Sequence, residues 1–451
     1  MTSSQTMADT GYRRELGDGL VLRWSTAEDC EGLAQLAAQV FRDGPDDPPD
    51  TSSADWTRDL ISGRHPLIGP TDFAVVEDTR NGTLVALTCL LSQTWTYGGI
   101  DLPVGRPESV GTHEDYRRRG LIRAIFELIH ARSAALGHLA QGITGIPYYY
   151  RQFGYEYALD FEGNRPIPWS AIPHLKEGED EPFHLRDATP DDIPMLMELY
   201  DRGRAYALTS TKVDERYWHW LLVGAQQDTP ESWRIYIIVD GAQRPCGYVA
   251  TVRRVWREGL NVGAIGVAEG VSLAATLPSV LRALRETMAA DPRHPESEPA
   301  GPLLFSLGRT HAVYEALGDM LPPEPRHPYP WYVRVPDLPA LVGRIAPVLE
   351  RRLHASAVAG HSGEVKLDFY RGGLRLVFRD GHLETVADWQ SGAWDKADAG
   401  FPPGVFLQLL FGYRGLDELR DVFPDVWADG MAVPLLRALF PAQPSWVLPL
   451  D

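Results

Sequence analysis

"ESVGTHEDYRRRGLIR", residues Glu108 to Arg123, places three arginines in a row just ahead of an apolar helical period. A helix N-terminus already carries partial positive charge from its free N–H groups, so cations there are unfavourable unless something offsets them. Glu108 to Thr112 reads as a strand, and Leu121, Ile125, Leu128 and Ile129 recur at helical spacing before the stop at Gly137. Strand, tight Arg/Gly turn and helix start together make a ring of oriented backbone donors, and the arginines add charge that a bound anion neutralises. Gly120 has no Cβ, so a pyrophosphate can come close to the backbone. The competing reading of Arg117 to Arg119 is a solvated helix face.

Outward from this stretch the chain echoes itself. "LRWSTAEDCEGLAQLA" from Leu22 and "LRDATPDDIPMLMELY" from Leu185 share Leu-Arg, then Thr, a short acidic pair and a helical period. In each, a strand ends in Arg and a Thr caps the next helix, with acids in the first turn where the dipole favours them. The separation of Arg23 from Arg186 suits a duplicated domain and is far too long for a solenoid. In the first copy "FAVVED" (Phe73 to Asp78) and "LVALTCLLSQTWTY" (Leu84 to Tyr97) read as strands joined at Asn81-Gly82, and "AQGITGIP" as a later strand leading into "YYYRQFGYEYA". In the second, "RIYIIVD" and "GYVATVRRV" read as hairpin strands, followed by "GAIGVAEGVSL" and a helix around Leu277 to Met288. There "AATLPSV" stands in place of Arg-Arg-Arg-Gly, so the second copy lacks the anion-binding turn.

A proline-rich linker is expected near residues 322 to 331. Beyond it, "GEVKLDFYRGGLRLVFRDGHLETV" alternates polar and apolar through glycine turns as an antiparallel sheet, and "FPPGVFLQLLFGY" and "AVPLLRALF" read as helices. The expected division is 1–165, 166–331 and 332–451, each a mixed α and β unit, and 451 residues are enough for several cores.

With 44% hydrophobic and 23% charged residues the chain reads as globular rather than disordered. It has no apolar run of about 18 residues to span a membrane and no apolar segment typical of a signal peptide at its start. Cys30, Cys89 and Cys246 are far apart, which points to reduced thiols in a cytoplasm and against zinc or a disulfide framework. The histidines are scattered and "THEDY" is no HExxH, so no metal site is expected. Lysine and arginine number 43 against 61 acids, a formal charge of −18, which disfavours nucleic acid and favours a cationic partner.

"VGTHEDYRRRGLI" resembles motif A of the GCN5-related N-acetyltransferases, in which an Arg/Gln-x-x-Gly-x-Gly/Ala turn holds the pyrophosphate of acetyl-CoA. Arg117, Gly120 and Ile122 occupy the three defined places. Ile122 departs from the general Gly/Ala in the manner usual of one branch, the Eis-like (enhanced intracellular survival) acetyltransferases, and Glu114 stands where proline is common there. Members of that branch are similar over the whole chain: an N-terminal acetyltransferase domain, a degenerate second copy, and a C-terminal sterol-carrier-like α/β domain. The resemblance therefore implies tandem domains of this kind, the first active, and a homo-oligomer, most often a hexamer.

It also implies roles by position. Backbone groups of Val110 and Thr112, on a strand splayed around Gly111, would bond the pantetheine arm. The run Arg117, Arg118, Arg119, Gly120, Leu121 and Ile122 would wrap the pyrophosphate, with Gly145 and Ile146 on the neighbouring strand. "YRQFGY", Tyr150 to Tyr155, matches a family sequence whose first tyrosine is the general acid, which maps to Tyr150. Direct attack by an amine on a thioester releases a thiolate of reference pKa about 8.5, and a phenol near 10 can return a proton to it. The terminal carboxylate serves as base in that branch, here the α-carboxylate of Asp451; with an intrinsic pKa of about 3.3–3.7 it would act through water or by stabilising the ammonium.

Phe41, Asp43 and Trp56 map to the substrate pocket, beside the acidic loop "RDGPDDPPD". Acids with aromatics suit an amine of an aminoglycoside, polyamine or lysine side chain through charge attraction and cation–π contact. A solvated loop explains Asp46, Asp47 and Asp50 equally well. The implied activity is acetyl-CoA-dependent N-acetyl transfer to a small cationic amine without metal. The alternative is a non-catalytic lipid-binding or acetyl-CoA-sensing oligomer.

Overall fold

The structure, a computed structural model, describes residues 6–161, 163, 165–226, 232–256, 259–289, 302–322, 329–392 and 395–449. Its first part runs β1 (Arg13–Gly17), β2 (Leu20–Trp24), α1 (Cys30–Val40), α2 (Thr51–Ile61), β3 (Phe73–Asp78), β4 (Thr83–Tyr97), β5 (Ile100–Thr112), α3 (Leu121–Ala135), β6 (Ala140–Ile143) and β7 (Glu156–Phe161). Alternation along β3 sets the layers, because successive side chains of a strand point to opposite faces. Ala74 and Val76 join Leu121, Ile125, Leu128 and Ile129 of α3 on one face. Phe73 and Val75 join Leu33, Leu36 and Leu60 of α1 and α2 on the other. β5 is longer than the strand expected from residues 108 to 112, since Pro103 and Pro107 mask its pattern; it pairs antiparallel with β4 from Ile100 onward.

The second part runs β8 (Arg165–Ile167), β9 (Phe183–Asp187), α4 (Ile193–Arg204), β10 (Thr209–Thr211), α5 (Glu215–His219), β11 (Trp233–Asp240), β12 (Pro245–Trp256), β13 (Gly259–Val267), α6 (Leu273–Ala289), β14 (Leu303–Phe305) and α7 (Ala312–Leu317). Its sheet, β8-β14-β13-β12-β11-β9, repeats the first sheet's run of three antiparallel pairs and one parallel pair. The sequence echo has a structural cause. Thr26 and Thr189 each form a capping box with the Asp three residues on. Those aspartates also hold the preceding strand's arginine: Arg23 reaches Asp29 at 2.7 Å and Arg186 reaches Asp192 at 2.7 Å.

The third part comprises β15 (Tyr329–Arg334), α8 (Leu338–His354), β16 (Gly363–Asp368), β17 (Gly373–Arg379), β18 (His382–Asp388), β19 (Ala399–Gly400), α9 (Val405–Leu410), α10 (Leu416–Val422), β20 (Trp427–Ala428) and α11 (Ala432–Leu439). The third sheet has the order β18-β17-β16-β19-β20. The expected linker needs correction at its end, because Tyr329, Pro330 and Trp331 belong to β15, which lies between β6 and β7 and antiparallel to both, while residues 323–328 of it lie outside the described residues. Trp331 and Val333 are drawn in by burial against Trp95, Leu159 and α8. Pro330 is tolerated because β6 pairs with β15 only from Tyr332 onward, leaving that edge free. β8 makes the converse move to the edge of the second sheet, so the two sheets exchange strands. α8, which sequence periodicity did not single out, shares one core with the first sheet through Leu341, Ile345 and Leu349.

Candidate active site

Two parallel strands separate at the centre of the first sheet. β5 and β6 pair only at Val104–Ala140 and Gly105–Gln141, after which β5 continues to Thr112 without a strand on that side. A bulge sharpens the divergence: Glu108 faces Cys89 and Gly111 faces Leu87, with Ser109 at φ 57°. The edge of Val110 to Thr112 thus presents backbone groups to an opening. Gly111 is required by close packing, since a Cβ there would lie 2.7 Å from Cγ1 of Val40.

β5 leads through the arginine turn into α3. Gly120 is the N-cap residue, left-handed at φ 75°, and no side chain caps the helix. The first N–H groups of this fifteen-residue helix are therefore left for an external acceptor. The three arginines, all exposed, divide their tasks. Arg119 donates to the Asp115 carbonyl at 3.1 Å and lies 4.9 Å over the Tyr116 ring, which fixes the turn. Arg117 donates to the Thr112 carbonyl at 3.4 Å and, like Ile122, lines the cavity described next. Arg118, at φ 63°, has no hydrogen-bond partner among the described residues. Leu121 turns its side chain into the core, so of the expected pyrophosphate-binding set only Arg117 and Ile122 offer side chains to the cavity.

That cavity, about 930 Å³, runs from the splay toward the second sheet. Val110, Gly111, Thr112, Gly145 and Ile146 border it at the strand ends, and Phe41, Asp43 and Trp56 border it from the end of α1 and from α2. Asp50 is spent on structure, accepting from Ser52 N at 3.0 Å and Ser53 Oγ at 2.6 Å to cap α2, while Asp46 and Asp47 are exposed loop residues.

Tyr150 lines the same cavity from a short helical turn, Tyr149–Phe153, and is only 3% exposed. Its ring sits among Tyr149, Tyr332 and Phe126 at centroid distances of 5.2, 5.4 and 6.0 Å. A Cβ built on Gly145 would lie 3.8 Å from its hydroxyl, which places the phenol beside the strand opening. Among the described residues that hydroxyl has no hydrogen-bond partner. Burial, and then the nearby charge of Glu108, push its pKa well above the ordinary tyrosine value, so it is held protonated.

Two features lay outside the sequence expectations, and a third, the tail, was expected at the site only through its last residue. The first is a partly buried ion pair: Arg106, fully buried inside β5, bonds the half-buried Glu108 carboxylate and lies 5.0 Å over the Trp331 ring, and both charged residues line the cavity. The second is the support from β15. The Tyr332 hydroxyl lies 2.6 Å from Tyr157 Oη and 3.3 Å from the Ile146 carbonyl, its one proton serving one acceptor at a time, and Tyr329 bonds the Gly145 carbonyl. The aromatic run "YPWYV" in the supposed linker was the available signal. The third is the tail. Leu208 N donates to the Pro444 carbonyl at 2.8 Å, Trp446 N to Thr209 O at 2.8 Å, and Thr211 Oγ1 to Leu448 O at 3.0 Å, so the tail runs beside β10. Trp446 to Pro449 line the cavity. Asp451, expected as a proton acceptor, lies with Leu450 outside the described residues.

Among the described residues no group of three or more His, Cys, Asp or Glu could hold a metal ion, and no helix is long and apolar enough to cross a membrane.

Residues 22–158 match the family model described as acetyltransferase (GNAT) domain. This segment is a GNAT domain. It contains the splayed strands, the arginine turn and Tyr150. The whole chain is similar in fold to a GCN5-related N-acetyltransferase from Anabaena variabilis, with a TM-score of 0.63, 16% identity, and coverage of 95% of this chain and 99% of that one. It is similar also to a conserved protein from Enterococcus faecalis described as a probable N-acyltransferase (0.64, 15%, 94% and 98%). A third is Eis1 from Mycobacterium abscessus (0.57, 15%, 94% and 98%). Identities this low speak to fold alone. No curated protein matches the chain by sequence.

Proposed function

We propose that the chain is an acetyl-CoA-dependent N-acetyltransferase acting on a small cationic amine. The observation that carries this reading is that the uncapped, glycine-led start of α3 and the buried phenol of Tyr150 face one cavity. The residues fit the cosubstrate: backbone groups at Val110 to Thr112 for an amide-bearing arm, and helix N–H groups with Arg117 for a pyrophosphate. Acetyl-CoA, when bound, supplies an acetyl group activated as a thioester. The chain orients that group beside Tyr150, which returns a proton to the departing sulfur and regains one from the nitrogen as the amide forms. Glu108, on the same strand and bordering the same cavity, takes up the proton of the incoming ammonium through water, its charge balanced by Arg106. Phe41, Trp56 and Asp43 receive the cation. Measuring thiol release from acetyl-CoA with a panel of amines tests the proposal. Acetyl-CoA binding without release for any amine would favour the acetyl-CoA-sensing reading.

We infer further that the second sheet is a degenerate copy of this domain. The repeated strand order and the paired capping boxes support it. α6 stands where α3 stands in the first copy, yet its start is occupied: Ala275 N donates to Ser272 Oγ at 3.3 Å, and no arginine precedes it. One acetyl-CoA per chain is therefore expected by calorimetry, and two equivalent sites would contradict it. The third sheet we read as a sterol-carrier-like unit whose apolar face is filled by α8 and the first sheet, a brace rather than a lipid carrier.

A further inference from the structure

The residues that border the cavity from α1 and those of the arginine turn belong to different elements, and two contacts join them. A Cβ at Gly111 of β5 would lie 2.7 Å from Cγ1 of Val40, the last residue of α1. Two residues on, the Arg42 guanidinium reaches the Glu114 carboxylate at 3.2 Å. Glu114 opens the short helical turn Glu114–Tyr116, which carries β5 into the arginine run. Phe41 and Asp43, on either side of Arg42, border the cavity, and so do Thr112 and Arg117 on either side of that turn. The Arg42–Glu114 pair therefore ties the segment that faces the amine to the segment that faces the pyrophosphate. Residues 41–50 form a loop closed at its base, since Asp50 N donates to the Ala38 carbonyl at 2.8 Å and the Asp50 side chain caps α2.

The Glu114 side chain is 52% exposed and that of Arg42 24%. A pair this exposed adds little stability on its own, because two long side chains must be held in one geometry against their rotamer freedom. That cost falls when one partner is already fixed. A pyrophosphate held by Arg117 and the start of α3 fixes the turn that carries Glu114, and it adds negative charge beside that turn. Both effects draw the Arg42 guanidinium the same way, toward the turn, and with it the flanking Phe41 and Asp43. Among the described residues Glu114 is the ion-pair partner of Arg42, so the pull has one address. Glu114 stands where proline is common in the branch that the sequence resembles, and a proline side chain has no acceptor for this bond.

We propose that Arg42 is a positioning residue that couples the two halves of the site: a coenzyme A thioester on the arginine turn draws Arg42 onto Glu114, and Phe41 and Asp43 are thereby set for the amine. The proposal rests on the acetyltransferase reading for what binds at the turn. Hydrogen–deuterium exchange of residues 41–50 in the full chain, with and without saturating coenzyme A, tests it without an acceptor or turnover. Coenzyme A should slow exchange of the amides in this segment by about twofold to fivefold, the range of one exposed ion pair. Arg42→Ala and Glu114→Gln, which break the pair from opposite sides, should each abolish the difference between the two states, and Arg42→Lys, which keeps the charge, should retain most of it. A merely structural Arg42 would raise exchange alike with and without coenzyme A when it is removed. No slowing in the wild type with coenzyme A bound, or an equal slowing in the wild type, Arg42→Ala and Glu114→Gln, would overturn the coupling and leave the transferase reading standing. Calorimetry on the same samples separates the two ideas, because failure of coenzyme A to bind would sink the transferase reading and the coupling with it.

Discussion

The ring of Tyr150 stands edge-on to that of Tyr332, 5.4 Å between centroids, although one follows β6 and the other lies in β15 beyond the whole second sheet. The proposed acid is thus held by a strand that follows the whole second sheet in sequence and returns to the first. Tyr332 acts through position, since its hydroxyl ties down Tyr157 and the Ile146 carbonyl.

Tyr332→Phe keeps the ring and removes that hydroxyl, at a cost of about 1 kcal/mol of stability for the hydrogen bond lost. Tyr332→Ala opens the aromatic nest and should cost about 3–5 kcal/mol, the range of a buried aromatic truncation. Denaturant unfolding measures both. Equal losses would show that the hydroxyl, and not the ring, carries the support.

The direction of Tyr150's pKa shift sets the alkaline behaviour. Raised by burial first and by Glu108 second, the phenol keeps its proton as pH rises. The turnover rate should climb as the amine deprotonates and then hold level, without a falling limb through about pH 10, the ordinary phenol value. Glu108→Gln removes the charge that helps hold the proton, so a falling limb should shift toward lower pH. A pH–rate profile of wild type falling well below pH 10 would remove Tyr150 as the acid.

At the helix start, Arg117→Ala should weaken acetyl-CoA binding about tenfold, as expected for one charged hydrogen bond to a phosphate. Gly120→Val should weaken it further, because a β-branched residue cannot adopt φ 75° without strain. Arg118→Ala, with no partner to lose, serves as the comparison. Equilibrium binding of acetyl-CoA reads all three, and equal affinity for Arg117→Ala and wild type would place the pyrophosphate elsewhere.

Asp192 is pulled down to about 2 by its bonds to Arg186, against the opposing effect of burial. Its folded value lies below the ordinary carboxylate value, so it contributes stability above roughly pH 4 that fades as pH falls toward 2. Asp192→Ala should cost about 1–2 kcal/mol at neutral pH through loss of the capping box. The difference from wild type should close between pH 4 and 2, as measured by urea unfolding across that range.

The arginine turn, α3 and the echo of Arg23 in Arg186 were legible because each obeys a local rule: a helix period, a cap, a glycine where the backbone is left-handed. Tyr150 came from a resemblance resting on "YRQFGY". The bulge at Ser109 was not legible, since serine carries no signal for positive φ. Nor was β15, because prolines disguise its edge and burial of Trp331 depends on partners far along the chain. The Arg106–Glu108 pair escaped for the same reason, as only the folded sheet buries Arg106 and sets it beside the half-buried Glu108 on one cavity wall. The acids of the loop were legible in part: Asp43 and Asp50 both border the cavity, but Asp50 also caps α2.

The central claim is that Tyr150 returns the proton in an acetyl transfer carried out at the splay of β5 and β6. Thiol release from acetyl-CoA, measured with one good amine acceptor for the wild type and for Tyr150→Phe, tests it most directly when acetyl-CoA affinity is measured on the same samples. The account predicts a fall in kcat of roughly 10²–10⁴-fold with affinity for acetyl-CoA retained; an unchanged kcat in Tyr150→Phe would contradict it.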